Sequence, residues 1–584
     1  MTAEQTKIAE ESHVKAPWLN VYGVVPPHLD YPDCTMYEAV ERCAGTYPNH
    51  TAYVFMGRKT TYRAMAAEID LCARALKATG VRPGDRITMA MPNCPQAVIM
   101  FYAINLVGAT ANMIHPLSSE KEIEFYLKES GSIFAVTLDQ FYHKFEAIRQ
   151  NVTLDNIILA SIPDALSKPV RVGYMLTEGR KQAKIPKDAP VLRWNEFLRR
   201  GRGYHWTYRA ERRAGDEAVI LYSGGTTGVT KGIQLTNLNF NALGKQIIAT
   251  NPMFRPGDKM LAVMPMFHGF GLGVSIHSML VNGGCCILVP RFTPDSYAKL
   301  LLKYRCNLIA GVPTLYEALL RLPKMKNADL SCLKGVYSGG DSLSVELKKR
   351  FDQFLFDHHA TIQVREGYGL TECVTASCLT PYHISREGSI GIPFPDTYYK
   401  IVEHGTQKEV PYGTEGEICL SGPTVMMGYL HHPEETAQTL QTHEDGLTWV
   451  HTGDLGSMDP DGFVYFRQRL KRMIVTSGYN VYPSQMENIL DAHELVQMSC
   501  VIGVPDPLKM QKVKAFVMLK PGVPANEETK AVLMAYIRKN VAKYALPYDI
   551  EFRAELPKTL VGKVAYRVLE EEELKKLSET AQEQ

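Results

Sequence analysis

With 584 residues, 45% of them apolar and 22% charged, the chain has the composition of a soluble globular protein of roughly four domain-sized units or fewer, larger ones. A net charge of +2 creates no field that would gather nucleic acid, so none is expected as a partner. The twelve cysteines form no C-x-x-C pair, and Cys285-Cys286 are adjacent, which points to a reducing, cytoplasmic setting without a zinc site.

The first thirty residues carry Glu4, Lys7, Glu10, Glu11 and Lys15, so they hold no apolar signal core. An apolar stripe at Tyr62, Met65, Ile69, Ala73 and Leu76 predicts a helix closed by Gly80. Arg82-Pro83-Gly84-Asp85 then turns into the strand Arg86-Ile87-Thr88-Met89-Ala90. The same alternation recurs around Val98 to Ala111 and Tyr297 to Val312, which predicts parallel sheets covered by helices. Two long uncharged stretches, Ile87 to Ser119 and Leu261 to Pro290, are interrupted by Pro, Asn, His and Gly. A membrane span needs ~20 predominantly apolar residues without such breaks, so both read as buried interior. Asp139 to Arg213 is less regular, carries Arg199-Arg200-Gly201-Arg202, and reads as an elaborated surface excursion. Beyond a boundary near Gln468 come a Gly478-Tyr479-Asn480 hairpin turn, a helix begun by Pro483, two strands and a final helix over about Glu527 to Ala545. The closing segment Leu556 to Lys563 completes a unit of ~110 residues. The fold class is α/β, with a large N-terminal domain of helix-covered mixed or parallel sheets over 1–468 and a small α+β C-terminal domain over 472–584.

The run Ala218 to Tyr222 reads as a buried strand leading into Ser223-Gly224-Gly225-Thr226-Thr227-Gly228-Val229-Thr230-Lys231-Gly232, with a short strand, Ile233 to Leu235, after it. Four glycines let successive N–H groups turn toward one point and make an anion-binding nest. Ser223, Thr226 and Thr227 add hydroxyls, and Lys231 adds a point charge. No Gly-Lys-Ser/Thr triplet is present and the loop leads into a strand, so this is no Walker A loop and no helix dipole assists it.

This loop is similar to the phosphate loop of the AMP-forming acyl-CoA synthetase and ligase superfamily, and its double-Gly form, with Gly224 where many members have Ser, resembles bacterial fatty-acid CoA ligases. Further segments fall in the family's order. Met264 to Gly269 resembles the aromatic-His segment, whose His, here His268, lines the carboxylate site and the acyl entrance. Gly269, Gly271 and Gly273 after it would leave a slender cavity open for an acyl chain. Ser338-Gly339-Gly340-Asp341 resembles the loop that packs one face of adenine. In Gly367-Tyr368-Gly369-Leu370-Thr371-Glu372 the resemblance implies that Tyr368 stacks on adenine, Thr371 binds the α-phosphate and Glu372 ligates Mg²⁺. Asp454 and Arg469 are implied to hold the ribose. Lys471 falls at the hinge, 469–471, about which the small domain rotates, and Ser477, Gly478 and Tyr479 fall where CoA binds. Lys563 is the implied bridge between the attacking carboxylate and the α-phosphate. Gln468 and Gln485 stand where the family's pattern has Gly and Glu.

The resemblance implies a two-step enzyme using ATP, Mg²⁺ and CoA: a carboxylic acid becomes acyl-AMP, then acyl-CoA. The double-Gly loop and the stretch from Ile157 to Phe197 favour a fatty acid. An aryl or short-chain CoA ligase, an acyl-AMP ligase loading a carrier protein and a catalytically silent binding module are the alternatives. A fatty substrate implies peripheral membrane contact, although no amphipathic anchor is evident.

Overall fold

The predicted alternation of helix, turn and apolar strand becomes two large sheets in the computed structural model, which describes residues 14–177, 185–186, 188–223, 230–476, 479–506, 509–559 and 562–582. In the eight-stranded sheet, Thr110–Met113 and Phe134–Leu138 flank Arg86–Ala90 in parallel. Asn156–Ala160 and Leu192–Arg193 extend one edge in parallel. On the other side Glu217–Ser223 pairs with Thr110–Met113 and folds back as the antiparallel strand Lys231–Thr236. Phe134–Leu138 and Thr110–Met113 are buried at every position, as expected of strands covered on both faces. The nine-stranded sheet runs Val364–Tyr368, Gly335–Ser338, Leu308–Gly311, Lys259–Ala262, Cys285–Leu288 and Thr51–Phe55 in parallel, with antiparallel strands at both edges.

The two large sheets share one apolar core. The uncharged stretches supply its centre: all twelve residues of the helix Pro95–Leu106 are buried, so it is apolar all round. Two of their buried asparagines are bonded. Asn105 accepts from the Tyr37 N–H and donates to Asn237, and Asn93 donates to the carbonyls of Ala262 and Met264. Among the described residues no helix is long and apolar enough to cross a membrane.

A third, antiparallel sheet contains Tyr398–Val402, Gly416–Ser421, Thr448–Met458, Leu440–Thr442 and Val464–Arg469. After it, the long hairpin Val496–Asp506 and Met510–Leu519 forms a separate sheet with Ile474–Thr476, Tyr479–Val481 and Asp549–Phe552, around its own apolar core.

Two sequence expectations need correction. The stretch from Asp139 to Arg213 is no mere excursion, because Asn156–Ala160 and Leu192–Arg193 belong to the main sheet. The helix Trp194–Arg202 also lies on Tyr62–Ala78 so closely that a methyl on Gly201 would collide with the Leu71 carbonyl. The helix Glu527–Asn540, which ends before the short turn Lys543–Ala545, is not the last one. Tyr566–Gln582 follows, and its Glu573 is buried against Lys514 at 2.8 Å.

Candidate active site

Ligands of open α/β sheets bind outside the carboxyl ends of the strands. Here Gly335–Ser338 and Val364–Tyr368 end at a cavity of ≈ 840 Å³. Its wall brings together Lys231, His268, Gly339, Gly340, Tyr368, Gly369, Thr371, Glu372, Asp454, Arg469 and Lys563, from segments more than 300 residues apart. Gly224, Gly225, Thr226, Thr227 and Gly228 lie outside the described residues, as do Ser477 and Gly478. The ends of the phosphate loop are described: Ser223 and Lys231 pair across the hairpin, which sets Lys231 on the cavity wall.

The turn Thr371–Cys373 presents Thr371 and Glu372 to the cavity. Val374 follows at φ +66°, ψ −58°, and the Thr375 N–H donates to the Cys373 carbonyl at 2.8 Å, a γ-turn strained for a β-branched residue. Packing holds this turn in place. Phe270–His277 is a π-helix, a form that often marks functional sites. A methyl on Gly269 would collide with the Val374 carbonyl, and one on Gly273 would lie 2.7 Å from Leu243 and 3.2 Å from Val374. A methyl on Gly271 would collide with the backbone of Met264 and Pro265. These glycines therefore do not open an acyl slot; they let the π-helix press against the Glu372 turn and the segment before it.

The sequence reading missed Tyr429. Its hydroxyl donates to Glu372 Oε1 at 2.8 Å, and its ring centre lies 5.0 Å from Lys231 Nζ. Its place becomes visible only when Gly428–Tyr429 pairs with Lys231–Thr236. Lys231 also pairs with Glu435 at 3.4 Å. Glu372 and Thr371 supply hard oxygen donors, a set that fits Mg²⁺ bound partly by phosphate oxygens.

Elsewhere on the wall, Asp454 accepts from the Tyr368 hydroxyl at 2.6 Å and lies 3.4 Å from Arg469 Nε. Burial raises the Asp454 carboxyl pKa, while Arg469 and then the Tyr368 hydroxyl pull it back. The Phe270 N–H donates to His268 Nδ1 at 3.1 Å, so the neutral ring carries its proton on Nε2. Burial and then the Lys563 ammonium hold the His268 pKa at about 3. Burial lowers the Lys563 pKa, and Asp341 opposes it. Asp341 stands beside the wall and accepts from the Val564 N–H at 3.4 Å, while Thr314 donates to the Gly562 carbonyl at 2.9 Å. Gly562 has φ +86°, a left-handed turn suited to glycine just before Lys563. Ile247, Val274, Leu379 and Phe394 add apolar side chains to the lining of the same cavity.

Of the two assigned positions that remain, Tyr479 is not on this wall. Lys471 lies in the turn Leu470–Arg472, next to Arg472, which is paired with Glu487. Tyr479 is 56% exposed and stacks on Tyr544 with ring centres 4.5 Å apart.

The model of the AMP-binding enzyme family matches residues 40–430, and that of the AMP-binding enzyme C-terminal domain matches 485–563. A long-chain-fatty-acid–CoA ligase of Bacillus subtilis (strain 168) is 36% identical over 565 residues, 95% of this chain and 98% of that protein. The Salmonella typhimurium protein of the same description is 33% identical over 96% of this chain and 98% of its own length. Among solved structures, the anthranilate CoA ligase AuaEII in complex with anthranoyl-AMP matches with a TM-score of 0.79 at 26% identity, over 93% of this chain and 97% of that one. ATP-bound MatB from Rhodopseudomonas palustris matches with a TM-score of 0.78 at 25% identity, over 92% and 99%. The motifs, the cavity they line and these end-to-end likenesses agree: the chain belongs to the AMP-binding enzyme family.

Proposed function

We propose that this chain uses ATP to activate a long-chain fatty acid as its acyl-adenylate and passes the acyl group to CoA, releasing AMP and pyrophosphate. One observation carries the reading: a single cavity is lined both by Lys231, Thr371 and Glu372 and by the apolar Ile247, Val274, Leu379 and Phe394, with Lys563 beside His268. Curated relatives aligned over nearly the whole chain are described as long-chain-fatty-acid–CoA ligases, which supports the substrate class.

A carboxylate is a poor electrophile, so activation must give its carbon a better leaving group. A carboxylate oxygen attacks the α-phosphorus, the bond to the bridging oxygen breaks, and pyrophosphate leaves. Negative charge shifts among phosphate oxygens, so the protein's task is positioning and fixed positive charge. Lys231 serves the β- and γ-phosphate side, and Lys563 spans the carboxylate and the α-phosphate. Thr371 donates to an α-phosphate oxygen. His268, neutral with its proton on Nε2, donates to the acid without adding charge. Asp454 fixes the ribose hydroxyls. Glu372, with Thr371, would hold Mg²⁺, which when bound neutralises phosphate charge. In the second step the CoA thiol attacks the acyl-AMP carbonyl and AMP departs. No enzyme nucleophile takes part. The small domain, over 472–584, turns about 469–471 between the steps, exchanging the Lys563 face for another at which CoA is bound.

Exchange of labelled pyrophosphate into ATP, measured with acids of graded length, tests this reading. Exchange should be fastest with long-chain acids, and adding CoA should yield free acyl-CoA. Fastest exchange with an aromatic or short acid, or acyl-AMP accumulating despite CoA, would overturn it.

A further inference from the structure

Beside Asp454 lies a group of side chains that the adenylation chemistry does not use. Glu417 and Cys419 are two apart on the strand Gly416–Ser421, and His451 stands opposite Cys419 on Thr448–Met458. Alternation along a strand sends residues two apart to one face, so this register gathers a carboxylate, a thiol and an imidazole. Their ligand atoms all lie within 4.8 Å of one another. Cys419 Sγ is 3.6 Å from His451 Nδ1, which is 3.1 Å from Glu417 Oε2. A tetrahedral Zn²⁺ ion with ordinary Zn–S, Zn–N and Zn–O lengths spaces its sulfur and nitrogen by ~3.6 Å and its nitrogen and oxygen by ~3.4 Å. The first spacing matches and the second is within a few tenths.

We propose that Glu417, Cys419 and His451 form a binding site for a thiophilic divalent cation of the Zn²⁺ class, separate from the Mg²⁺ expected at Glu372. The ligand set selects the ion, since thiolate and imidazole favour Zn²⁺ where all-oxygen sets favour Mg²⁺. His404 Nδ1 lies 3.8 Å from Glu417 Oε2, on the turn after Tyr398–Val402, as an outer partner beside the three-ligand group. Outer partners aim two of the three, Glu417 and His451. The Gly453 N–H donates to Glu417 Oε1 at 2.9 Å, and His451 Nε2 meets His443 Nε2 at 3.0 Å, leaving Nδ1 toward the metal. His404, Glu417 and His451 also line the nucleotide cavity, and Gly453 precedes Asp454, so the ion would sit where it can couple to nucleotide binding. The sequence shows no zinc spacing because the ligands converge across a strand pair, not along one loop.

Co²⁺ is the probe. Added to the dialysed full-length protein, it should bind one per chain and give a thiolate-to-cobalt charge-transfer band that Zn²⁺ displaces. Cys419→Ser should abolish the band, whereas Cys332→Ser, a change at a cysteine that is not fully buried, should leave it intact. His404→Ala alters a residue whose side chain is 63% exposed, which protects the fold, and should weaken Co²⁺ binding by roughly 10-fold or more, the scale of losing even an outer partner. Absence of a stoichiometric band, a band surviving Cys419→Ser, or unchanged affinity in His404→Ala would each overturn the site.

Discussion

Tyr429→Phe isolates one hydroxyl. The ring that faces Lys231 stays, and only the hydrogen bond to Glu372 at 2.8 Å is lost. Burial, and then the Glu372 charge, raise the phenol pKa, so the wild-type hydroxyl is a donor throughout the working pH range. A hydrogen bond to an ionised group contributes ~1.5–3 kcal/mol. If that energy aims Glu372 at Mg²⁺, its loss weakens the Mg²⁺ requirement's half-saturation by roughly 10- to 100-fold, the scale of lost outer partners at metal sites. The measurement is a Mg²⁺ titration of pyrophosphate–ATP exchange at saturating ATP and fatty acid, with direct Mn²⁺ binding as a second readout. Maximal exchange at saturating Mg²⁺ should fall far less than the half-saturation shifts. An unchanged or lower Mg²⁺ half-saturation would show that the hydroxyl merely fills space and would refute the reasoning.

Four further outcomes follow from the same geometry. Lys563→Ala should lose acyl-AMP formation while still converting supplied acyl-AMP and CoA to thioester, and equal loss of both half-reactions would remove the assigned role. Lys471→Pro should keep adenylation and lose thioester formation; normal acyl-CoA output would refute the hinge. Gly269→Ala drives a methyl into the Val374 carbonyl, so it should lower exchange and raise the Mg²⁺ half-saturation, whereas a wild-type Mg²⁺ titration would count against the packing argument. Asp491 has its carboxyl pKa raised to about 8, chiefly by burial, against about 4 in an unfolded chain. The folded state holds this proton more tightly, so the contribution to stability is complete below the unfolded pKa and is lost as pH rises through the folded one. The melting temperature of Asp491→Asn should therefore gain on wild type between about pH 4 and pH 8 and level off above, with a pH-independent gap as the contrary result.

Legibility followed contiguity. Thr371 and Glu372, or Gly339 to Asp341, sit within a few residues of one another after an apolar strand, so both the motif and its place at a strand end could be read locally. Tyr429 could not: it acquires its role by pairing beside Lys231, almost 200 residues earlier in the chain. The helix Tyr566–Gln582 escaped for a related reason. Eight of its seventeen residues are charged, and its burial rests on Leu569 in a small apolar cluster and on the Glu573–Lys514 pair. Neither is visible without the partner strand Met510–Leu519. Leu192–Arg193 is two residues long, too short to show periodicity, and only its pairing with Asn156–Ala160 makes it a strand.

The glycines after His268 teach the converse lesson, because small residues were read as empty space and turned out to mark close contact. A γ-turn at a β-branched residue costs on the order of 1–3 kcal/mol and persists only where its surroundings fix it. At Val374 the fixing element is the π-helix Phe270–His277, brought within backbone contact by Gly269 and Gly273. That helix grows out of His268, whose carbonyl accepts from the Leu272 N–H and whose Nδ1 accepts from the Phe270 N–H. Asn93 fixes the segment before it, donating to the Met264 carbonyl and accepting from the Met266 N–H. One element therefore orients the His268 imidazole and braces the turn that carries Glu372. A displacement of His268 by an ill-fitting acid would be felt at Glu372 through contacts with no room to yield. Discrimination between acids should then appear in the rate of adenylation as well as in acid affinity.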